Sequence, residues 1–384
     1  MLRVDGDATA SVFTGDAWTE GGIQTIGSND YTTYTNGGAT LLVDTDILFN
    51  GIELASLDGT NGFKINGEAS FDQFGESTSG AGDVNGDGFV DLIIGAWGAD
   101  PNGSYSGASY VVFGRSSGFN AEVEASALDG TSGFKLSGVA AGDRSGISVR
   151  NAGDVNGDGF SDVIVGAHRA DPNVTTDAGA SYVVFGKGGG FASNINLSAL
   201  SGADGFKLSG VSVFDLSGVS VSSAGDVNGD GFGDIIIGSH GADPHGSYSG
   251  ASYVVFGKAG GFSADLNLSA LNGSNGFKLS GEAFFNVSGT SVSDAGDVNG
   301  DGFGDVIIGA YRENSDAGAT YVVFGKASGF AASIDLSSLT GANGFKLSGP
   351  ASGDRSGRDV SSAGDMNGDG FDDVIIATHR ANIY

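Results

Sequence analysis

Gly82–Asp91, which reads Gly-Asp-Val-Asn-Gly-Asp-Gly-Phe-Val-Asp, is the stretch that decides how this chain folds. Close copies occupy residues 153–162, 225–234, 296–305 and 364–373. The first aspartates of the five copies are separated by 71, 72, 71 and 68 residues. A nearly constant period of this size is typical of one supersecondary unit that is used repeatedly. We therefore interpret the chain as a tandem array of similar units.

Each copy carries oxygen-bearing side chains at alternate positions. In the third copy Asp226, Asn228 and Asp230 alternate, a glycine follows, and Asp234 ends the run. Glycines let such a loop bend tightly, so that the alternate side chains can point inward together. Calcium takes about six to eight oxygen ligands, mostly carboxylates, amide oxygens and backbone carbonyls. The pattern therefore predicts a calcium loop, with the Phe232 carbonyl as a further ligand.

The five loops together predict about five calcium ions per chain. The predicted ligands occupy the same five positions of every copy, namely Asp83, Asn85, Asp87, Phe89, Asp91, Asp154, Asn156, Asp158, Phe160, Asp162, Asp226, Asn228, Asp230, Phe232, Asp234, Asp297, Asn299, Asp301, Phe303, Asp305, Asp365, Asn367, Asp369, Phe371 and Asp373. Magnesium fits less well, because it takes fewer protein ligands in a stricter geometry.

The loops have two other interpretations. An EF-hand loop would need a glutamate at its twelfth position, but that position is apolar in all five copies. The flanking residues are β-branched, which favours a β-hairpin over two helices. The remaining alternative is an Asn-Gly or Asp-Gly hairpin turn without a metal. Five copies that each keep the three aspartates and the asparagine favour the metal.

The composition limits the class of partner. The chain has 384 residues, with 46 acidic and 17 basic side chains and a formal net charge of −29. This charge argues against binding to nucleic acid and to anionic membranes. No run of about 18 apolar residues predicts a membrane helix. The absence of cysteine excludes disulfides, thiolate metal sites and cysteine catalysis. Residues 1–10 lack the pattern of a signal peptide, yet the acidic, calcium-rich chain suits an extracellular or bacterial cell-surface location.

The rest of each unit reads as short strands with glycine-rich turns. Between residues 205 and 262 we expect strands at Gly205–Gly210, Ser217–Ala224, Asp234–Gly238 and Gly250–Gly257. Four antiparallel strands per unit are typical of a propeller blade. The fold prediction is therefore an all-β, five-bladed propeller at residues 37–384, after a non-repeat segment at 1–36. The ring could close by pairing of the N-terminal strands (38–65) with the C-terminal half-blade; a fragment of a larger ring and an open array are the alternatives.

The unit resembles the FG-GAP repeat of integrin α-subunit propellers and of bacterial surface and secreted proteins. The Asp-x-Asn-x-Asp-Gly-x-x-Asp loop matches in all five copies, and Phe74-Gly75 is the one literal Phe-Gly pair at the position where the other copies have Ser-Gly. The resemblance covers about residues 50–384. It implies a β-propeller with calcium on the hairpins of one face and ligand or partner binding on the opposite face. It does not imply integrin function, because a fold hosts many functions.

A candidate ligand face follows from the strand order, because the turn after the third strand lies at the opposite end of a blade from the calcium hairpin. An aromatic residue or histidine stands there in every copy, and arginine follows in three copies. The candidate residues are Trp97, His168, Arg169, His240, Tyr311, Arg312, His379 and Arg380. Aromatic and arginine side chains suit sugars or acidic groups. Blade-to-blade packing explains the same recurrence and is the alternative.

No catalytic motif for metal-dependent proteolysis, serine hydrolysis or phosphate binding occurs, so we expect a protein that is not an enzyme. The predicted function is a calcium-binding extracellular module for adhesion to glycan or protein ligands. Two alternatives remain: a structural surface or matrix module that self-associates, and a non-catalytic domain of a larger secreted enzyme.

Overall fold

The computed structural model describes residues 54–380 and, before them, the backbone of four strands. The remaining parts of the predicted segments 1–36 and 37–384, at residues 1, 4–18, 27–28, 37–38, 45–53 and 381–384, lie outside the described residues. The chain divides into two compact units, residues 1–64 and 65–384. The first unit contains one sheet in the order β1-β4-β3-β2, with β1 (Leu2–Arg3), β2 (Thr19–Ile26), β3 (Asn29–Asn36) and β4 (Ala39–Asp44).

The second unit is built of repeated antiparallel sheets, as the propeller prediction requires. In each complete sheet, four strands pair side by side in chain order. We call each of these sheets a blade, and we use the same name for the last sheet, which has two described strands. Blade 1 contains β6 (Phe74–Gly82), β7 (Asp91–Ala96), β8 (Ala108–Val112) and β10 (Gly133–Ser137); blade 2 contains β11 (Ser148–Gly153), β12 (Asp162–Ala167), β13 (Ala180–Val184) and β15 (Gly205–Ser209); blade 3 contains β16 (Ser220–Gly225), β17 (Asp234–Ser239), β18 (Ala251–Val255) and β20 (Gly276–Ser280); blade 4 contains β21 (Ser291–Gly296), β22 (Asp305–Ala310), β23 (Ala319–Val323) and β25 (Gly344–Ser348); and blade 5 contains β26 (Ser356–Gly364) and β27 (Asp373–Thr378).

Short elements complete the blades. The outer strands of blades 1, 2 and 3 each pair in parallel with a three-residue strand of the following repeat. These strands are β14 (Asn194–Asn196), β19 (Asp265–Asn267) and β24 (Ser333–Asp335). A further two-stranded sheet consists of β5 (Lys64–Asn66) and β9 (Glu122–Glu124). The 3₁₀ turns are Leu54–Ser56, Ala125–Ala127, Pro172–Val174, Leu197–Ala199, Leu268–Ala270 and Leu336–Ser338, and one four-residue helical turn spans Glu313–Asp316.

The boundary of the unit differs from the prediction, which placed the Gly-Phe-Lys strand first. That strand is the outermost one of the preceding blade: Gly133 pairs with Val112 and Ser137 with Ala108. The chain then crosses to the first strand of the next blade. Sequence order could not settle this point, because about 20 residues separate β8 from β10 and either grouping gives four strands.

The predicted closure of the ring is absent from the described strands. β4 already has a neighbour on each edge, β1 and β3, so it offers no free edge to a C-terminal strand. β26 and β27 form a sheet of two strands. Of the N-terminal strands predicted within residues 38–65, β4 is therefore present but lacks the predicted partner.

The hydrophobic core lies between neighbouring blades. One cluster joins Ile93 and Phe134 of blade 1 to Val163 and Val165 of blade 2. Similar clusters fill the spaces between the later pairs of blades. Strands such as β17 are buried along their whole length, which explains their unbroken apolar sequence.

Glycine in the second strand lets the blades approach closely. A Cβ at Gly95 would lie 2.0 Å from the carbonyl oxygen of Gly146 in the next blade. The same contact recurs for the pairs Gly166 and Gly218, Gly238 and Gly289, and Gly309 and Gly357.

The first strands of the blades are joined to one another by a repeated hydrogen bond. Ser77 accepts from the backbone N–H of Val149 in the next blade at 3.0 Å. The equivalent serines at 148, 220 and 291 accept from the N–H groups of residues 221, 292 and 360 at 3.1 Å. Residues of all five first strands line one cavity of about 880 Å³, which we call the central cavity.

Candidate functional site

The five acidic loops lie between the first and second strands and share most of one internal hydrogen-bond pattern. Asp83 Oδ1 accepts from the N–H groups of Gly86 and Asp87, and its Oδ2 accepts from Gly88. Asn85 Oδ1 accepts from the Asp87 N–H, and Asp87 Oδ1 from the Phe89 N–H. The side chains therefore turn into the loop and fix its bend. We call the end of the blades that carries these loops the lower side.

The last aspartate is buried in the first four loops and half-buried in the fifth. Asp91 is fully inaccessible, and its two oxygens accept from the backbone N–H groups of Val84 and Gly114. Burial, opposed in part by these bonds, raises its pKa to about 6. Burial likewise raises the pKa of the equivalent residues Asp162, Asp234 and Asp305 to about 7. Negative charge at these positions needs a compensating partner.

Successive loops contact each other. The Phe160 ring lies on Gly86 of the preceding loop, where a Cβ would come within 2.3 Å of the ring. Phe232, Phe303 and Phe371 lie on Gly157, Gly229 and Gly300 in the same way. The Ser161 N–H also donates to the Asp83 carbonyl at 3.0 Å. Sequence reasoning assigned only the carbonyl of this phenylalanine to the site and missed the role of its ring.

The chemistry of the loops fits a hard cation, although the side chains are not gathered around one point. Among the described residues, no group of three or more His, Cys, Asp or Glu side chains is close enough to hold a metal ion. The loop carboxylates bond instead to backbone N–H groups. Each carboxylate offers about four acceptor sites, and Asp87 uses two, for Asn85 and Phe89. Oxygen donors therefore remain for a cation, and the calcium sites stay a prediction.

The opposite end of the blades, which we call the upper side, lies about 20 Å away, since six residues of a strand such as Asp91–Ala96 separate the two ends. Here Tyr105 and Arg144, from neighbouring blades, are joined by a hydrogen bond of 2.9 Å from the Arg144 N–H to the Tyr105 carbonyl. Equivalent bonds join residues 216 and 177, 287 and 248, and 355 and 316. Neighbouring blades are thus connected at both ends.

The candidate face residues all follow the second strand or its turn on the upper side, but their surroundings differ. His168 is nine-tenths buried, and its Nδ1 has no hydrogen-bond partner among the described residues. Burial lowers its pKa to about 3 and, together with Arg358, lowers that of His240 to about 4. Both rings are therefore neutral at pH 7. His379 and Arg380 are exposed, as is Arg169.

Aromatic rings and arginines stack on the upper side. Trp97 stacks on Tyr105 with ring centroids 6.1 Å apart, and the Arg144 guanidinium lies 4.9 Å from the Trp97 ring. Tyr311 is covered by Arg358 at 4.7 Å, with Arg312 at 5.8 Å. These stacks join different blades, so the packing interpretation explains part of the recurrence.

The central cavity was missed by sequence reasoning. His240 and Tyr311 of the predicted set line it, together with Glu76, Arg150 and Arg358. Trp97, His168, Arg169 and Arg312 are absent from its lining. A signal existed, because serine recurs at one position of the first four strands, at 77, 148, 220 and 291, and aspartate takes that position at 359.

A model of the FG-GAP repeat matches residues 74–112, 145–184, 217–255 and 289–323. These ranges begin near the first strand of blades 1 to 4 and end with the third strand. The fifth hairpin lies outside them, although its loop and two strands are built alike. FG-GAP repeats are typical of extracellular or surface proteins. No helix among the described residues has the length and apolarity needed to cross a bilayer. The chain therefore contains four FG-GAP repeats and has the β-propeller fold of a binding module.

Proposed function

We propose that this chain is a calcium-stabilised binding module that works outside the cell or on a bacterial cell surface. The lower side binds calcium, and the upper side holds a glycan or protein ligand. The observation that carries the proposal is the separation of the two chemistries. The acidic loops repeat on the lower side, whereas the stacked aromatic rings and arginines lie on the upper side. The proposal assigns no catalytic step to the chain.

Calcium binding is supported by the charge of the loops. Each loop has three carboxylates among its predicted calcium ligands, and among the described residues no ion pair involves any of them. In every loop the last aspartate would hold the metal from the strand side, and the first three donors from the loop. A cation bound there would offset the cost of burying residues such as Asp91.

The fourth loop offers a matched test. We expect Asp301→Asn to remove one calcium per chain and to lower the melting temperature in calcium by a few °C, since one saturated site contributes about 2–3 kcal/mol. The control is Asp294→Asn, the same substitution seven residues earlier. Asn151 occupies the equivalent position in blade 2 and accepts the same backbone hydrogen bond, at 2.8 Å.

Calcium per chain is counted by equilibrium dialysis, and melting is followed by circular dichroism with calcium or EGTA. The proposal requires that the control keep the wild-type calcium count. Equal effects of the two substitutions, or a wild-type chain that binds no calcium, would contradict it.

A further inference from the structure

The central cavity is a feature of the described residues that the calcium loops leave unexplained. We propose that it binds the carboxylate of an acidic saccharide, with Arg150 and Arg358 as the cationic groups and the first-strand serines as hydroxyl donors. This inference names the ligand class for the upper side and so rests on the proposed binding function.

The two arginines have guanidinium donors to offer. Arg150 Nη1 donates to the Val149 carbonyl at 2.9 Å. Arg358 is exposed and stacks on Tyr311. Among the described residues, neither guanidinium forms an ion pair. The planar guanidinium matches the two oxygens of a carboxylate. In a chain of net charge −29, these two groups place cationic donors in one cavity, beside the carboxylates of Glu76 and Asp359.

The acidic groups that face the cavity are already engaged. Glu76 accepts from the Trp97 indole N–H. Asp359 accepts from the Ser291 hydroxyl at 3.0 Å. These carboxylates therefore do not neutralise the arginines by direct contact. The contact between Ser291 and Asp359 also provides an internal example of a first-strand serine that donates to a carboxylate.

The other serines of this set can donate in the same way. Ser77, Ser148 and Ser220 each use a lone pair to accept a backbone N–H of the next blade. Each hydroxyl proton remains to be donated, because a serine hydroxyl is one donor and two acceptors. The wall therefore presents hydroxyl donors at regular intervals beside the two arginines.

The cavity fits a saccharide better than a peptide. A peptide that added as a strand would need backbone N–H groups at the edge of the first strands. Those of Val149, Val221, Val292 and Val360 are already bonded to serines. The volume of about 880 Å³ lies in the usual range for small-ligand sites. His240 and Tyr311 also line the cavity.

The test is calorimetric titration of the full calcium-loaded chain with trigalacturonate and with its trimethyl ester, which has the same size without the charge. We expect the acid to bind at least ~10-fold more tightly than the ester. Arg150→Gln and Arg358→Gln should each weaken binding of the acid by ~10-fold or more. The control is Arg115→Gln, because Arg115 lies over Phe119 and donates to the Gly118 carbonyl, away from the cavity.

Melting in calcium shows whether each variant is folded. Equal affinity for acid and ester, or unchanged binding by folded Arg358→Gln, would overturn the inference. Binding of an octaglutamate peptide without binding of trigalacturonate would overturn the saccharide assignment. If the wild-type chain binds calcium but not trigalacturonate, this inference fails while the calcium part of the proposed function stands. If it binds no calcium, the proposed function fails instead.

Discussion

The loops on the lower and upper sides both contain residues with positive φ, but different residue types occupy these positions. Each lower loop has glycine wherever φ is positive, as at Gly229 (71°) and Gly231 (88°). All sixteen left-handed residues other than glycine in the described part of the chain lie on the upper side. They include Phe214, Leu216 and Val287. Such a conformation costs about 1–2 kcal/mol for a residue with a Cβ.

One upper position shows the difference directly. Blades 2 and 5 have Gly142 and Gly353 two residues before the inter-blade hydrogen bond, whereas blades 3 and 4 have Phe214 and Phe285 there, and Phe71 stands at the corresponding position of blade 1. Phe71, Phe214 and Phe285 are 87, 53 and 40% exposed, so their burial offsets little of the cost of the left-handed conformation. Strained residues of this kind cluster at functional sites. We infer that the lower side is built for one repeated task and the upper side for selection of a ligand.

The largest expected effect is the removal of calcium from all five loops. We expect EGTA to lower the melting temperature by more than about 10 °C, because a ligand that binds only the folded state stabilises it. Circular dichroism melts with and without calcium measure this shift. An unchanged melting temperature would mean that calcium does not stabilise the lower loops, which would contradict the proposed difference between the two sides.

The next largest effects should come from substitutions at positions of positive φ, which we expect to destabilise the lower side more than the upper side. Gly229→Ala places a Cβ 2.4 Å from the Phe303 ring, and we expect a loss of about 2–3 kcal/mol. Gly231→Ala meets no atom within 4 Å and should lose about 1 kcal/mol through its φ alone.

On the upper side, Phe214→Gly should change stability by no more than about 0.5 kcal/mol, because relief of strain offsets the added freedom of the unfolded chain. Gly142 forms the same backbone hydrogen bond that Phe214 makes. Urea denaturation in saturating calcium ranks the three variants. A loss in Phe214→Gly as large as that in Gly229→Ala would contradict the difference between the two sides.

A buried upper-side carboxylate with no predicted metal should give an effect that depends on pH. Burial raises the pKa of Asp215 to about 6, and Lys278 and Asp243 act in opposite directions on it. The folded state therefore binds a proton more tightly than the unfolded state, and stability is lost as the pH rises from about 4 through 6. Asn286 occupies this position in blade 4. We expect Asp215→Asn to be more stable than wild type at pH 8 by about 1 kcal/mol.

The gap between Asp215→Asn and wild type should close as the pH falls to 4, where the wild-type carboxyl is protonated. Urea denaturation at pH 4, 6 and 8 measures it. A constant gap would mean that the carboxyl does not titrate between these values.

Sequence reasoning predicted what depends on local spacing. The loop of Gly82–Asp91 recurs with fixed positions, so its hairpin and its flanking strands could be predicted, and the all-β propeller class is confirmed. The calcium ligands remain predictions, because their geometry around an ion is a property of the loaded loop.

The errors concern contacts between units. The blade to which Gly133–Ser137 belongs depends on pairing with β8, and the partner of Ala39–Asp44 depends on which strand edges are free. The central cavity combines side chains such as Arg150 and Arg358, which are about 200 residues apart. The recurrent first-strand serines were a local signal for this cavity, but only the arrangement of the blades brings the two arginines together.

The most direct test of the proposed difference between the lower and upper sides is a diffraction experiment on crystals grown in calcium. Anomalous difference density would show how many ions are bound and where. The account predicts one calcium in each of the five lower loops, contacted by side chains such as Asp226, Asp230 and Asp234, and none among the upper loops. Empty lower loops at millimolar calcium, or calcium bound on the upper side instead, would contradict it.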